Sequence, residues 1–119
     1  MNRKVLLLVV AAALMWSCGE NPLEPNVPGP NEIWFQSGEV VPKTLTVSKG
    51  TTVTWINKDS ESHAVDSGTF MNPTGDFPAS PNLSRNQRYS HTFNKGGTFP
   101  YYCVRHQTRQ SEQGSIIVR

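Results

Sequence analysis

From Glu32 to Arg119 the chain never sustains an apolar repeat of 3.6 residues, which argues against a helical core. A period of two recurs instead. Ile33 and Phe35 alternate with their neighbours, and Leu45 and Val47 do so in Lys43-Thr-Leu-Thr-Val-Ser-Lys-Gly50. Val53, Trp55 and Asn57 follow in the segment Thr51–Asn57. His63–Asp66, Arg88–Phe93, Thr98–Cys103 and Ser115–Arg119 read as further short strands, with turn signals at Gly50 and at Asn94–Gly97. About seven to eight short strands rich in Val, Thr and aromatic residues predict an all-β fold, a Greek-key β-sandwich. Ser67–Asn86, with three prolines, reads as one long surface loop with room for a single helical turn.

The N-terminus carries a different signal. Arg3 and Lys4 precede twelve mostly apolar residues, Val5–Trp16. That run falls short of the roughly 20 residues a spanning helix needs, but it suits the apolar core of an export signal. Ser17 then Cys18 resemble the end of a bacterial lipoprotein signal, in which the cysteine becomes lipidated; ordinary secretion is the alternative. Gly19–Asn31 follows with four prolines and two glycines, an extended and semi-rigid linker. The expected organisation is therefore a signal peptide over 1–17, a linker over 18–31 and one folded domain over 32–119. The protein is expected to be exported, periplasmic or extracytoplasmic, and held at a membrane only through lipid on Cys18.

Charge narrows the partners. Two of the eleven basic residues, Arg3 and Lys4, lie in the leader, leaving nine against nine acidic ones. No basic stripe of the kind nucleic-acid binding requires is present. A monomer is expected.

Only two cysteines occur, Cys18 and Cys103. An exported chain favours disulfides, yet a lipidated Cys18 leaves Cys103 without a partner, and an odd thiol needs another explanation. Cys103 opens a Cys-Val-Arg-His motif at the end of the aromatic strand Gly97-Thr-Phe-Pro-Tyr-Tyr-Cys103, and His63 lies forty residues upstream. One thiolate and two imidazoles form the ligand set of a trigonal type 1 copper centre. The competing reading of Cys103 is a small buried hydrophobe. His91 alternates in phase with Tyr89 and Phe93 and reads as a hydrogen-bonded core histidine. Met71 reads as packing, Trp55 and the tyrosines as core, and Arg105 and Arg109 as solvated loop charges, the alternative being that they raise the potential of a metal site or attract an acidic partner.

In these residues the domain resembles the cupredoxins, in particular the small plastocyanin- and amicyanin-like blue copper proteins. Four segments carry the resemblance in order: Gly50-Thr-Thr-Val-Thr-Trp-Ile-Asn57, Asp59-Ser-Glu-Ser-His63-Ala-Val65, Gly97–His106 and Gly114-Ser-Ile-Ile-Val118. It implies one copper ion on His63, Cys103 and His106, with His106 nearest the surface. It also implies single-electron transfer between redox partner proteins rather than enzymatic turnover. Two positions depart from the pattern. The family's weak axial methionine stands two residues before the closing glycine, where this chain has Glu112, in a loop at least a residue longer. Glu112 is the first candidate for the axial position, with Gln110, Ser111, Gln113 or no ligand as alternatives. Ala64 stands where plastocyanins carry an asparagine that braces the ligand loop. A copper-binding protein for storage, delivery or sensing is the alternative function.

Overall fold

The computed structural model describes residues 26–119. The expected leader, Cys18 and most of the expected linker lie outside the described residues. Within them nine strands form two sheets. β1 (Glu32–Gln36), β2 (Glu39–Val41), β4 (Thr51–Asn57) and β7 (Arg88–Phe93) make one sheet in the order β2-β1-β4-β7. β3 (Thr44–Val47), β5 (Val65–Thr69), β6 (Asn72–Pro73), β8 (Gly97–Cys103) and β9 (Gly114–Val118) make the other, in the order β3-β9-β8-β5-β6. β1 pairs with β4 and β3 with β9 in parallel, and the remaining pairs are antiparallel. The result is an all-β Greek-key sandwich. Two 3₁₀ turns, Val104–His106 and Gln110–Glu112, lie between β8 and β9. Among the described residues no helix is long and apolar enough to cross a membrane.

The period of two places the core. Ile33 and Phe35 of β1, Val53 and Trp55 of β4, Tyr101 and Cys103 of β8, and Ile116 and Val118 of β9 meet between the sheets. Trp55 sits at the centre, edge-on to Tyr101 and in stacked contact with Phe77. Burying side chains of this size contributes on the order of 2–3 kcal/mol each. Trp34 points the other way from Ile33 and Phe35 and is still buried. Lys58 lies over its ring and Glu32 accepts its indole N–H, so the outer face of β1 carries its own cover.

Several expectations need correction. β2 was not foreseen, because three residues are too few to show alternation. The strand expected at His63–Asp66 begins only at Val65; His63 makes an isolated bridge with Leu83. The region 67–86 is not a plain surface loop and holds no helical turn. β5 runs on to Thr69 and folds back as β6, while Phe77 packs into the core and Leu83 is buried at its bridge to His63. His91 does face inward with Tyr89 and Phe93 but is only half-buried. Its ring is held between Phe77 and Phe93, and among the described residues its side chain has no hydrogen-bond partner. Met71 is 84 % exposed at the tip between β5 and β6, so it is not packing.

The sheets bring their loop-bearing ends together. The β1–β4 register ends on the pair Phe35 and Asn57, and β5 and β8 pair through Val65 and Cys103. Gly114 opens β9 beneath that end. A Cβ there would lie 2.6 Å from the Lys43 carbonyl oxygen and 2.6 Å from the Tyr101 ring, so only glycine lets β9 approach this closely. Gly114→Ala is therefore expected to destabilise the domain by about 1–3 kcal/mol, the usual range for overpacking. Urea unfolding should show a lower midpoint at unchanged slope.

Candidate metal centre

Cys103 ends β8 and immediately enters the first 3₁₀ turn. In a 3₁₀ turn residues i and i+3 eclipse, so Cys103 and His106 project the same way. Their Sγ and Nδ1 atoms lie 3.7 Å apart. The rhythm then continues, because the Arg109 N–H donates to the His106 carbonyl at 2.9 Å and the Glu112 N–H to the Arg109 carbonyl at 3.0 Å. Residues 103, 106, 109 and 112 thus follow one another at a spacing of three around the same end of the sandwich.

His63 approaches from the loop after β4. Its Nδ1 lies 3.7 Å from Cys103 Sγ and 3.1 Å from Glu112 Oε1, and His106 Nδ1 lies 2.9 Å from the same Oε1. One ligand atom from each of His63, Cys103, His106 and Glu112 therefore falls within 4.8 Å of every other. His63, Cys103 and Glu112 are fully buried, whereas the His106 side chain keeps 19 % of its surface exposed.

The outer contacts orient these atoms. His63 Nε2 lies 2.9 Å from Asp59 Oδ2. A carboxylate there selects the tautomer protonated at Nε2, which leaves the Nδ1 lone pair facing inward. Asp59 is itself held by the backbone N–H groups of Ser37 and Gly38 at 2.7 and 3.2 Å. Burial pushes its carboxyl up, but the His63 hydrogen bond and those two N–H groups outweigh it and hold it below the usual range. Phe35 stacks on the His63 ring at 4.4 Å and 9°. Asn57 braces the loop by donating to the Glu61 and Leu83 carbonyls at 2.8 Å each and accepting the Asp59 N–H at 2.7 Å. Ala64 contributes through its backbone, whose carbonyl accepts the Val104 N–H at 2.8 Å.

Glu112 stands out because a carboxylate is rarely buried without a partner. Burial would raise its carboxyl, yet the Arg109 hydrogen bond and the neighbouring His63, Cys103 and His106 hold it below the usual range. Arg109 Nη1 reaches Glu112 Oε2 at 2.6 Å and Glu61 Oε1 at 3.4 Å, and Glu61 Oε2 lies 3.6 Å from His106 Nε2. Arg109 is therefore not a free solvated charge. Burial pushes the Cys103 thiol above its ordinary value; the Ala64 and Arg105 N–H groups oppose this and Glu112 adds to it.

Two imidazole nitrogens and a carboxylate oxygen cannot face one another at 2.9–3.1 Å with lone pairs alone. Protons or a cation must lie between them. Donors at about 2.0–2.3 Å from a first-row metal ion are separated by roughly 3.3–3.6 Å in a tetrahedral arrangement, and the observed 2.9–3.7 Å separations bracket that span. One soft sulfur, two imidazoles and one oxygen fit a single copper or zinc-sized ion.

The other axial candidates are engaged elsewhere. The Ser111 hydroxyl donates to the Gly38 carbonyl at 2.7 Å, Gln113 Nε2 reaches the Gln107 carbonyl at 3.4 Å, and Gln110 lines an open groove with Lys43 and Tyr101. Asp59, Glu61, Asn57 and Arg109 were missed as parts of the site. For Asp59 a signal existed, four residues before His63, but it has meaning only once the loop is folded.

A family profile described as Cupredoxin-like domain matches residues 5–118. Amicyanin of Paracoccus denitrificans is 36 % identical over 74 residues, covering 62 % of this chain and 53 % of amicyanin, so the chain spans about half the length of that curated relative. A purple cupredoxin from Nitrosopumilus maritimus superposes with a TM-score of 0.64 at 30 % identity, over 74 % of this chain and 98 % of that one. The Cu(I) form of a methionine-to-glutamine variant of amicyanin superposes with a TM-score of 0.63 at 27 % identity, over 74 % and 80 % of the two chains. A two-sheet β-sandwich gathering His63, Cys103 and His106 at one end, and a profile match over nearly the whole chain, have one reading: the protein belongs to the cupredoxin-like domain family.

Proposed function

We propose that this protein is a single-electron carrier with one copper ion held by His63 Nδ1, Cys103 Sγ and His106 Nδ1, and with Glu112 Oε1 as the fourth donor. The observation that carries the reading is the convergence of those four atoms at the end of a rigid sandwich. Copper supplies a one-electron couple between Cu(I) and Cu(II). The chain supplies everything that keeps the two states alike. Asp59 and Phe35 fix the tautomer and plane of His63, and the 3₁₀ turn fixes Cys103 against His106. Cys103 loses its thiol proton when metal enters, which couples binding to proton release. The exposed edge of His106 gives a short route for the electron to a docked partner.

The role is that of a carrier rather than an enzyme, a reading supported by the cupredoxin-like family match. The domain acts as a monomer with redox partner proteins. It works outside the cytoplasm, tethered to a membrane by lipid on Cys18 through the proline-rich segment that ends at Asn31. Copper storage, delivery or sensing is the second reading. Glu112 favours it, since a full carboxylate donor stabilises Cu(II) and slows exchange between the two states.

Four experiments test these statements. Copper-loaded protein should show an intense thiolate-to-copper band and a reversible potential. Cys103→Ser should lose the band while the metal-free domain stays folded, and retention of the colour would sink the assignment. Glu112→Met should shift the preference toward Cu(I) by about a hundredfold, roughly 120 mV upward for one electron; an unchanged potential excludes Glu112 from the metal. Mass spectrometry of the mature protein should find a lipidated Cys18 at its N-terminus, whereas a free terminus beyond Cys18 would show ordinary secretion.

A further inference from the structure

The Glu112 carboxylate has two oxygens of equal basicity, and nothing in its chemistry confines it to one bond with a metal. The fold treats the two differently. Oε1 faces His63 Nδ1 and His106 Nδ1 at 3.1 and 2.9 Å, while Oε2 is turned away and accepts Arg109 Nη1 at 2.6 Å. Resting on the copper reading above, we infer that Arg109 is a positioning residue that limits Glu112 to one oxygen at the metal and thereby sets the balance between Cu(II) and Cu(I).

Three features support this. Arg109 precedes the second 3₁₀ turn and Glu112 closes it, so the two side chains eclipse and meet without any long-range fit. The guanidinium is also anchored on its other side by Glu61 Oε1, and the remaining Glu61 oxygen lies against His106 Nε2. Arg109, Glu61, His106 and Glu112 thus form a closed ring of contacts around the more exposed edge of the site. Finally, Glu112 is fully buried whereas Arg109 is 39 % exposed. A charge so exposed acts only weakly through space, being screened by water and salt, but its hydrogen bond to a buried oxygen is not screened in the same way. Without Arg109 both oxygens are free to turn inward. A second hard donor would stabilise Cu(II) and change the geometry of the centre.

The test is a cycle on the full-length copper-loaded protein: parent, Arg109→Gln, Glu112→Gln and the double variant, with Arg109→Lys as the conservative replacement. The readouts are the reduction potential at low and high salt and the paramagnetic resonance spectrum of Cu(II). Arg109→Gln should favour Cu(II) by about tenfold, a fall of about 59 mV for a one-electron couple, with an altered copper hyperfine splitting and little dependence on salt. In the Glu112→Gln background the same change should move the potential by less than roughly a third as much, because the route through Glu112 is gone. Arg109→Lys should restore most of the parent spectrum. A shift of equal size in both backgrounds, or one that vanishes at high salt with the spectrum unchanged, would overturn the inference and leave a charge acting through space. A parent protein without a thiolate-to-copper band would instead overturn the copper reading, and this inference with it.

Discussion

Four electron-rich side chains meet in the dry end of this sandwich, and the surrounding structure compensates for that crowding. Burying one unpaired carboxylate costs several kcal/mol in order-of-magnitude terms, and Glu112 is buried beside two imidazole nitrogens and a thiol. Arg109 offsets part of the charge and Asp59 holds one imidazole in the tautomer that faces inward. The four donors that remain fit a single copper- or zinc-sized ion.

The scaffold gathers the donors through pairings remote from one another in sequence. His63 follows β4 and Cys103 ends β8, and these strands lie in different sheets. The two ligands come together because the sheets pack face to face through Phe35, Trp55 and Tyr101. Asn57, the last residue of β4, then ties the His63 loop to Leu83, which bridges His63. Cores packed to this density have few alternative arrangements. Such resistance to rearrangement keeps the four donor atoms in one arrangement.

Much of this was legible along the chain. The period of two identifies most of the strands, and the short Cys-x-x-His spacing marks a pair that a single turn can aim together. Glu112 emerged only by its slot relative to Gly114. Arg109 was read as solvated, although the run Cys103, His106, Arg109, Glu112 repeats every three residues. That repeat is the signature of 3₁₀ turns, but turns so short leave no apolar stripe to announce them. Phe77 and Leu83 were hidden for a related reason. They are buried from a segment whose prolines and polar residues suggest a loop, and isolated apolar residues carry no period.

By itself the sequence determined the kind of fold, an all-β sandwich, and the residue types able to ligate a soft metal ion. Alternation and side-chain chemistry are local properties, so they can be read one segment at a time. The tertiary structure alone decided which Glu112 oxygen faces the histidines and which cation holds the other. It also decided that Met71 points to solvent and that His91 rests on aromatic rings rather than on a hydrogen bond. Those outcomes depend on where separate loops meet, and the meeting is set by the packing of two sheets rather than by any residue's neighbours in the chain.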